Sequence, residues 1–196
     1  MRCTWVNTAF PAYVKYHDEE WGVPVHNDTL HFELLTLEGA QAGLRWLTIL
    51  QKRTGYRHAF AHFSVGKVAT FKKGTLEKLY EDTRIVRNRL KIQATVNNAK
   101  HFLKIQEECG SFDHYIWRFV DGQPIINHWK HINAVPASTK LSDQISKDLK
   151  QRGFKFVGST IIYAYLQAVG LVNDHTVDCF RHKELLRRCV TKQKNE

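Results

Sequence analysis

Residues 151–179 read QRGFKFVGSTIIYAYLQAVGLVNDHTVDC, and this stretch decides the fold. The preceding segment, SDQISKDLKQ, begins at Ser142, whose hydroxyl can cap a helix by accepting a free backbone N–H. Gly153 is expected to end that helix, because glycine adopts positive φ at little cost. Apolar residues then recur with helical spacing at Ile162, Tyr165, Leu166 and Val169. The pattern predicts two helices joined by a turn at 153–158, the second ending at Gly170.

A glycine-containing turn before a helix can bind phosphate. Its unpaired N–H groups point outward at the positive end of the helix dipole. Lys150 and Lys155 place positive charge nearby. An ordinary corner between two helices accounts for the same pattern, so the hairpin alone leaves both interpretations open.

Composition favours a polyanionic partner. Among 196 residues, 29 Lys and Arg oppose 19 Asp and Glu, which gives a formal charge of +10 and a pI near 9.5. Such a balance suits nucleic acid or an acidic membrane surface. No apolar run approaches the length of a membrane span, the N-terminus lacks the pattern of a signal peptide, and four cysteines do not indicate a disulfide scaffold. We therefore expect a cytoplasmic protein.

The remaining segments predict helices. Residues 27–29 can cap a helix through 30–43, which is expected to continue through 44–53. Gly39 and Gly43 lie inside this stretch, and glycines there are tolerated where another element packs closely or where the helix breaks. Thr75 can cap the next helix. A long helix is predicted at about 84–108, ending at Gly110, and another at 111–120. A polar loop should follow at 121–140, and the basic tail after Arg181 is expected to fray. No strand-length alternation is present, so the predicted fold is all-α, in a single unit spanning 1–196.

Cysteines and histidines stand near both ends of the chain: Cys3 and His17 at the start, His175 and Cys179 at the end. Two thiolates and two imidazoles can form a closed tetrahedral zinc site, which would be structural because no position is left for water. The spacing does not match a standard zinc finger, and a chain with 11 histidines offers chance pairs. Read without further support, the four residues leave both interpretations open.

Glu38 lies in the apolar run LEGAQAGLRW. A helix carboxylate usually faces solvent or pairs with a lysine. Aromatic residues are abundant in this part of the sequence, and aromatic faces around a carboxylate can instead bind a flat cation. The aromatic residues in question are Tyr13, Tyr16, Trp21 and Trp46.

Three motifs, YHDEEWGVP, LEGAQAGLRW and RGFKFVGSTIIYAYLQAVGLVNDH, together with the Cys and His ends, closely resemble the bacterial 3-methyladenine DNA glycosylase I family over nearly the whole chain. The resemblance implies the helix-hairpin-helix superfamily, a monomer, and hydrolysis of the N-glycosidic bond of 3-methyladenine in alkylated double-stranded DNA, with the free base as product. It also implies one structural Zn²⁺ on Cys3, His17, His175 and Cys179. This metal would join about 1–25 and 171–185 into a lobe beside the hairpin at about 151–170.

The resemblance further implies roles for individual residues. Glu38 matches the glutamate that recognises the base, which is the expected catalytic position. The base pocket is expected to be formed by Tyr13, Tyr16, Trp21, Glu38 and Trp46. The hairpin is expected to hold DNA through Gly153, Lys155, Gly158 and Ser159.

Three departures from related proteins bear on the mechanism. Many superfamily members carry a catalytic Asp after the hairpin; here that position falls on Asn173, while Asp174 could instead orient His175, cap a helix or act directly. The position of the Schiff-base Lys of bifunctional relatives falls at 159–160, which predicts a glycosylase without strand cleavage. Ala40 and Arg45 replace residues that are usually Gln and Ser, which bears on selectivity.

Two other function classes remain open from the sequence. A DNA-binding module with a structural zinc would keep the basic hairpin but would not need Glu38 and the aromatic box together. A zinc hydrolase would need an open metal position, which a closed Cys₂His₂ set does not provide. The glycosylase interpretation accounts for the basic hairpin, for Glu38 with the aromatic box, and for the closed Cys₂His₂ set.

Overall fold

A computed structural model describes residues 1–193, with side chains up to residue 187. It is mostly helical. The helices are α1 (Pro11–Lys15), α2 (Asp28–Gln41), α3 (Trp46–Ala59), α4 (Val65–Ala69), α5 (Lys73–Glu81), α6 (Arg89–Cys109), α7 (Phe112–Trp117), α8 (Lys140–Gln151), α9 (Ser159–Ala168) and α10 (Phe180–Gln193). A π-helical turn at Tyr16–Glu20 continues α1, and short 3₁₀ turns occur at Ala61–Phe63, Arg118–Val120 and Ile132–Ala134.

Helix α2 is the central element. Asn27 caps it as predicted, accepting a hydrogen bond from the Leu30 N–H at 3.0 Å. Every residue from His31 to Ala40 is buried, because α3, α6, α7 and α9 pack around it. A helix that is buried on all sides cannot show the one-sided apolar pattern of a surface helix. Glu38 is therefore carried on a helix that is buried along most of its length.

The predicted hairpin is present as α8, a turn and α9. Its apolar residues Ile162, Tyr165, Leu166 and Val169 are fully buried. Gly153 has φ +92°, and a Cβ there would lie 2.6 Å from Cε1 of His101. Asn98 of α6 holds the turn from both directions, since it accepts from the Lys155 N–H and donates to the Lys155 carbonyl, each at 2.8 Å. The turn is thus fixed by α6 as well as by its own sequence.

Several predicted helix boundaries were wrong. Helix α8 begins two residues before Ser142, because Thr139 is the N-cap and Ser142 completes a reciprocal capping box. Helix α5 begins before Thr75, and α6 begins only at Arg89, where the Asn88 side chain accepts from the Lys91 N–H.

Two further predictions, for the segment after α2 and for the C-terminal tail, were also wrong. The helix predicted to run on through 44–53 is broken at 42–45, where Gly43 has φ +78°. The tail predicted to fray is helical through Gln193, and its last part, 194–196, lies outside the described residues.

The ends of the chain pack together beside the hairpin. The Gly22 N–H donates to the Gln167 carbonyl at 2.9 Å, and the Val25 N–H donates to the Val169 carbonyl at 3.0 Å. A two-residue parallel pair, β1 (Ile125–Ile126) with β2 (Val172–Asn173), lies in the same region and was not predicted. The segments before α2 and after α9 are therefore neighbours in space.

Candidate active site and metal centre

The π-helical turn at Tyr16–Glu20 directs two consecutive side chains into two different sites. Its defining bond runs from the Trp21 N–H to the Tyr16 carbonyl at 2.9 Å. Tyr16 lines a cavity, whereas His17 belongs to a buried cluster of Cys and His. Turns of this type often occur at functional sites, because the extra residue changes the direction of neighbouring side chains.

The cavity has a volume of about 380 Å³ and lies between the N-terminal segment, α2, α9 and the loop after β1. It is lined by Trp5, Tyr13, Tyr16, Trp21, Glu38, Gln41, Trp46, Ile132, Val135, Pro136, Ala137, Thr160, Tyr163, Ala164 and Gln167. All five residues predicted for the base pocket are among them. A volume of this size matches the pockets that hold small ligands.

Aromatic rings form the walls. Tyr16 and Trp46 lie 5.2 Å apart between ring centroids, and Trp5 contacts Tyr13 and Trp21 edge-to-face at 5.6 and 5.1 Å. Trp5 was not predicted to belong to the pocket, although it stands two residues after Cys3 in the aromatic segment. Tyr163 and Gln167 were not predicted either, although their spacing of four residues on α9 places them on one face of that helix.

Glu38 is the only acidic group among the residues that line this cavity. It is buried, and burial alone raises the pKa of its carboxyl to about 8. Within the described part of the chain, no group donates a hydrogen bond to it or pairs with it. Burial also raises the pKa of the Tyr16 hydroxyl, and the nearby Glu38 adds to that shift. A carboxyl held dry among aromatic faces is suited to a flat, cationic ligand with N–H donors.

The four predicted metal ligands are brought together. The ligand atoms of Cys3, His17, His175 and Cys179 all lie within 4.8 Å of one another, and all four residues are buried. Nδ1 of His175 lies 3.5 Å from the Cys3 sulfur and 3.4 Å from the Cys179 sulfur. Nε2 of His17 lies 3.5 Å from the Cys179 sulfur. This group could hold a metal ion.

The outer nitrogens of both histidines already have hydrogen-bond partners. Nδ1 of His17 lies 2.7 Å from the Asp18 carboxylate, which Arg2 holds from the other side. Nε2 of His175 lies 2.9 Å from the Trp21 carbonyl. Such partners fix the tautomer and leave the opposite nitrogen of each ring directed at the cluster, where it could bind a metal.

The two thiols influence each other. A hydrogen bond with Cys3 lowers the pKa of the Cys179 thiol, and the two imidazoles lower it further. The hydrogen bond with Cys179 and burial raise the pKa of the Cys3 thiol. The pair thus already stabilises one thiolate, which is the form that binds metal.

Asp174 is not among the residues that line the cavity. Its carboxylate is buried and accepts four hydrogen bonds, from side chains in the loop after β1 and on α9. It neither orients His175 nor caps a helix, which excludes two of the predicted alternatives. His175 is oriented instead by the Trp21 carbonyl.

The hairpin residues differ in what they can offer to a phosphate. The N–H groups of Gly153 and Lys155 bond within the protein, to the Lys150 carbonyl and to Asn98 respectively. The Lys155 side chain is exposed. Gly158 stands at the N-cap position of α9, and the Ser159 hydroxyl lies 2.5 Å from the Asp143 carboxylate. The cationic side chain and the start of α9 are therefore the groups that could contact DNA.

The two unusual residues of the LEGAQAGLRW motif lie in different environments. Arg45 is exposed at the N-cap position of α3, where its side chain makes no capping bond. Ala40 is buried, and its carbonyl accepts a hydrogen bond from Lys91 at 2.8 Å. Lys91 also donates to the Ala42 carbonyl at 2.5 Å, so it holds the end of α2.

Comparison with known proteins agrees with this architecture. The family model for methyladenine glycosylases matches residues 5–182. The chain is 47% identical over 178 residues to DNA-3-methyladenine glycosylase 1 of Escherichia coli K12, covering 91% of this chain and 95% of that protein. The chain belongs to the methyladenine glycosylase family.

Solved structures show the same likeness. A crystal structure of 3-methyladenine DNA glycosylase I superposes with a TM-score of 0.89 at 47% identity, covering 92% of this chain and 98% of that one. A variant of 3-methyladenine DNA glycosylase I in complex with 3-methyladenine gives 0.88 at 38% identity, covering 91% and 96%. In the part of the chain that the structure describes, no helix is long and apolar enough to cross a membrane.

Proposed function

We propose that this protein is a DNA-3-methyladenine glycosylase of base-excision repair. It hydrolyses the N-glycosidic bond of 3-methyladenine in alkylated double-stranded DNA and leaves the strand intact. The observation that carries the proposal is the buried carboxyl of Glu38, which has no partner among the described residues, in a cavity lined by aromatic rings. Family membership and the relatives' activity support the same conclusion.

The cavity is suited to a base removed from the helix. A target base must leave the duplex before an enzyme can reach its glycosidic bond. In DNA, 3-methyladenine carries a positive charge, which aromatic faces attract. Arrival of that cation favours the charged form of Glu38, so it lowers the pKa that burial had raised. Glu38 can then accept hydrogen bonds from the exocyclic amine, and it is the residue proposed to act at the base itself.

The chemistry needs little acid catalysis. Water adds its oxygen to C1′ of the sugar, while the electron pair of the C1′–N bond moves onto the ring and neutralises the base. The water loses its proton to solvent, and neutral 3-methyladenine leaves. The transition state resembles an oxocarbenium ion at the sugar. Ser159 and Thr160 stand where a Schiff-base amine would be required for strand cleavage, which supports a monofunctional enzyme.

We propose one structural Zn²⁺ on Cys3, His17, His175 and Cys179. A tetrahedral zinc with Zn–S of about 2.3 Å and Zn–N of about 2.0 Å places its ligand atoms about 3.5 Å apart. The observed sulfur–nitrogen distances of 3.4 and 3.5 Å fit that geometry. With four protein ligands the metal has no open position, so it would join the chain ends rather than act on substrate.

The hairpin α8–α9 is proposed to be a helix-hairpin-helix that holds one DNA strand. Lys155 would attract a phosphate through its ammonium group, and the amides at Gly158 and Ser159 would bind one at the start of α9. Gly153 would serve the turn geometry rather than contact DNA directly. The chain would function as a single catalytic unit, since pocket, hairpin and Cys/His cluster share α9 and its flanking segments.

Base release tests the proposal. Purified protein is incubated with methylated duplex DNA, and the released base is identified by chromatography while gel analysis follows the strand. Free 3-methyladenine without nicking is the expected result. Absence of any released base from folded, zinc-containing protein would contradict it and would favour a DNA-binding protein without activity.

A further inference from the structure

We propose that Asp174 is a positioning residue that holds α9 and the loop after β1 together beside the base cavity, rather than the base that activates water. The inference rests on the proposed glycosylase function. It starts from the four hydrogen bonds that the buried Asp174 carboxylate accepts.

Both oxygens of Asp174 are saturated. Oδ1 accepts from Nδ2 of Asn127 at 2.6 Å and from Nε1 of Trp129 at 2.7 Å. Oδ2 accepts from the Tyr163 hydroxyl at 2.5 Å and from Nε2 of Gln167 at 2.7 Å. A carboxylate offers about four lone-pair sites. Because protein donors use all four, none remains to accept a proton from an attacking water.

The donors belong to two parts of the cavity. Tyr163 and Gln167 stand on α9 and line the cavity directly. Asn127 and Trp129 begin the loop that continues to Ile132 and to 135–137, which also line the cavity. The single anion of Asp174 therefore joins α9 to the loop after β1, and hydrogen bonds to a charged acceptor are stronger than neutral ones.

An amide at this position is a weaker acceptor than the carboxylate. In Asp174→Asn, one oxygen becomes an NH₂ group, to which the Tyr163 hydroxyl and the Gln167 amide can bond only after both turn to act as acceptors, and the charge that strengthens all four bonds is lost. The expected consequence is a less ordered cavity that binds the base more weakly. The reacting atoms keep their chemistry, because Asp174 does not touch them.

The test separates base binding from the rate of excision. Affinity for free 3-methyladenine is measured by tryptophan fluorescence, and the single-turnover rate of base release is measured at saturating enzyme on methylated duplex. Asp174→Asn is expected to weaken base binding by about tenfold or more while the saturated rate falls less than that. Trp129→Phe, which removes one donor and keeps Asp174, is expected to weaken base binding in the same direction. Asp121→Asn, at an exposed loop position, is the matched control and should change neither quantity.

Two results would overturn the proposal. One is a saturated rate that falls by about a thousandfold with base binding unchanged, which is the loss typical of a removed general base. The other is wild-type binding in both Asp174→Asn and Trp129→Phe. If Asp174→Asn does not fold, Trp129→Phe alone decides: weaker binding supports the proposal and unchanged binding overturns it. If the wild-type protein binds the free base but releases none from DNA, the glycosylase function fails instead.

Discussion

Glu38 is kept in the protein interior at a cost to stability. Its carboxyl is buried on α2, and the described residues supply no hydrogen-bond donor or cation to compensate its charge. Binding sites commonly keep such uncompensated groups, because the ligand supplies the missing partner. Tyr16 and Trp46 beside it provide the faces between which a flat cation can lie.

This arrangement predicts how stability depends on pH. The pKa of Glu38 is raised from 4.5 to about 8. The protonated carboxyl contributes favourably to the unfolding free energy. This contribution is complete below about pH 4.5 and is lost as pH rises through about 8. Relative to Glu38→Gln, wild type should therefore lose at least about 1 kcal/mol of unfolding free energy across this window, since one pKa unit corresponds to about 1.4 kcal/mol.

Urea denaturation of both proteins at several pH values measures the effect. Glu81→Gln, which changes an exposed carboxylate on α5, is the control and should follow wild type. Parallel pH profiles for wild type and Glu38→Gln would show that the carboxyl is not titrating in a dry site.

At the scale of elements, Arg53 joins three parts of the site. From α3 it donates to Glu33 of α2 at 2.5 Å and to Glu20 at the end of the π-helical turn at 2.6 Å. Arg57 reaches Glu33 from the same helix. This network holds the turn that carries Tyr16 and His17 against the helix that carries Glu38.

Replacement of Arg53 should be costly. Arg53→Met leaves Glu33 buried with only Arg57 beside it, and removal of one partner from a buried ion pair costs about 3–5 kcal/mol. Arg57→Met removes a half-exposed partner and should cost about 1 kcal/mol or less. Thermal and chemical denaturation compare the two variants. Equal losses would mean that the pair with Arg53 has no special structural role.

The hairpin can be tested by charge reversal. Lys155→Glu should weaken binding to damaged and undamaged duplex alike and reduce its salt dependence, because each phosphate contact contributes about 0.9 to the log–log slope. Lys78→Glu, on the exposed face of α5, makes the same change in net charge and is the matched control. Binding that falls equally in both variants would indicate a general charge effect without a hairpin contact.

At the scale of the whole molecule, the Cys/His cluster joins residues that are more than 150 positions apart. Cys179→Ala should lower the melting temperature and the zinc content before it affects the chemistry, since the proposed metal is structural. Cys109→Ala, which changes a thiol outside the cluster, should leave the melting temperature and the zinc content unchanged. One zinc per chain in purified Cys179→Ala would show that the ligand assignment is wrong.

The sequence predicts those parts of the molecule that depend on local spacing. The hairpin, the cap at Asn27 and the buried face of α9 follow from such patterns and are confirmed. The break at 42–45 was missed because apolar residues on both sides continue the helical pattern. Lys91, which holds the carbonyls at the end of α2, comes from a distant helix that no local pattern identifies.

The site was predictable in part for the same reason. Tyr13, Tyr16, Trp21 and Trp46 were found through composition and resemblance, and all line the cavity. Ile132 and 135–137 reach the cavity only through tertiary packing, whereas Tyr163 and Gln167 stand four apart on α9, a spacing that could have identified them. The role of Asp174 depends on donors from α9 and on two more from the loop after β1, more than 40 residues away, so its sequence neighbours alone gave no indication of it.

The central claim is that the cavity at Glu38 binds the cationic base. Single-turnover release of 3-methyladenine from methylated duplex by wild type, Glu38→Gln and Glu81→Gln tests it most directly, with affinity for undamaged duplex measured on the same proteins. Glu38→Gln alone should lose at least about tenfold in base release, a difference of about 1.4 kcal/mol, while its affinity for undamaged DNA stays at the wild-type level. Equal losses in both quantities, or no loss in base release, would contradict the account.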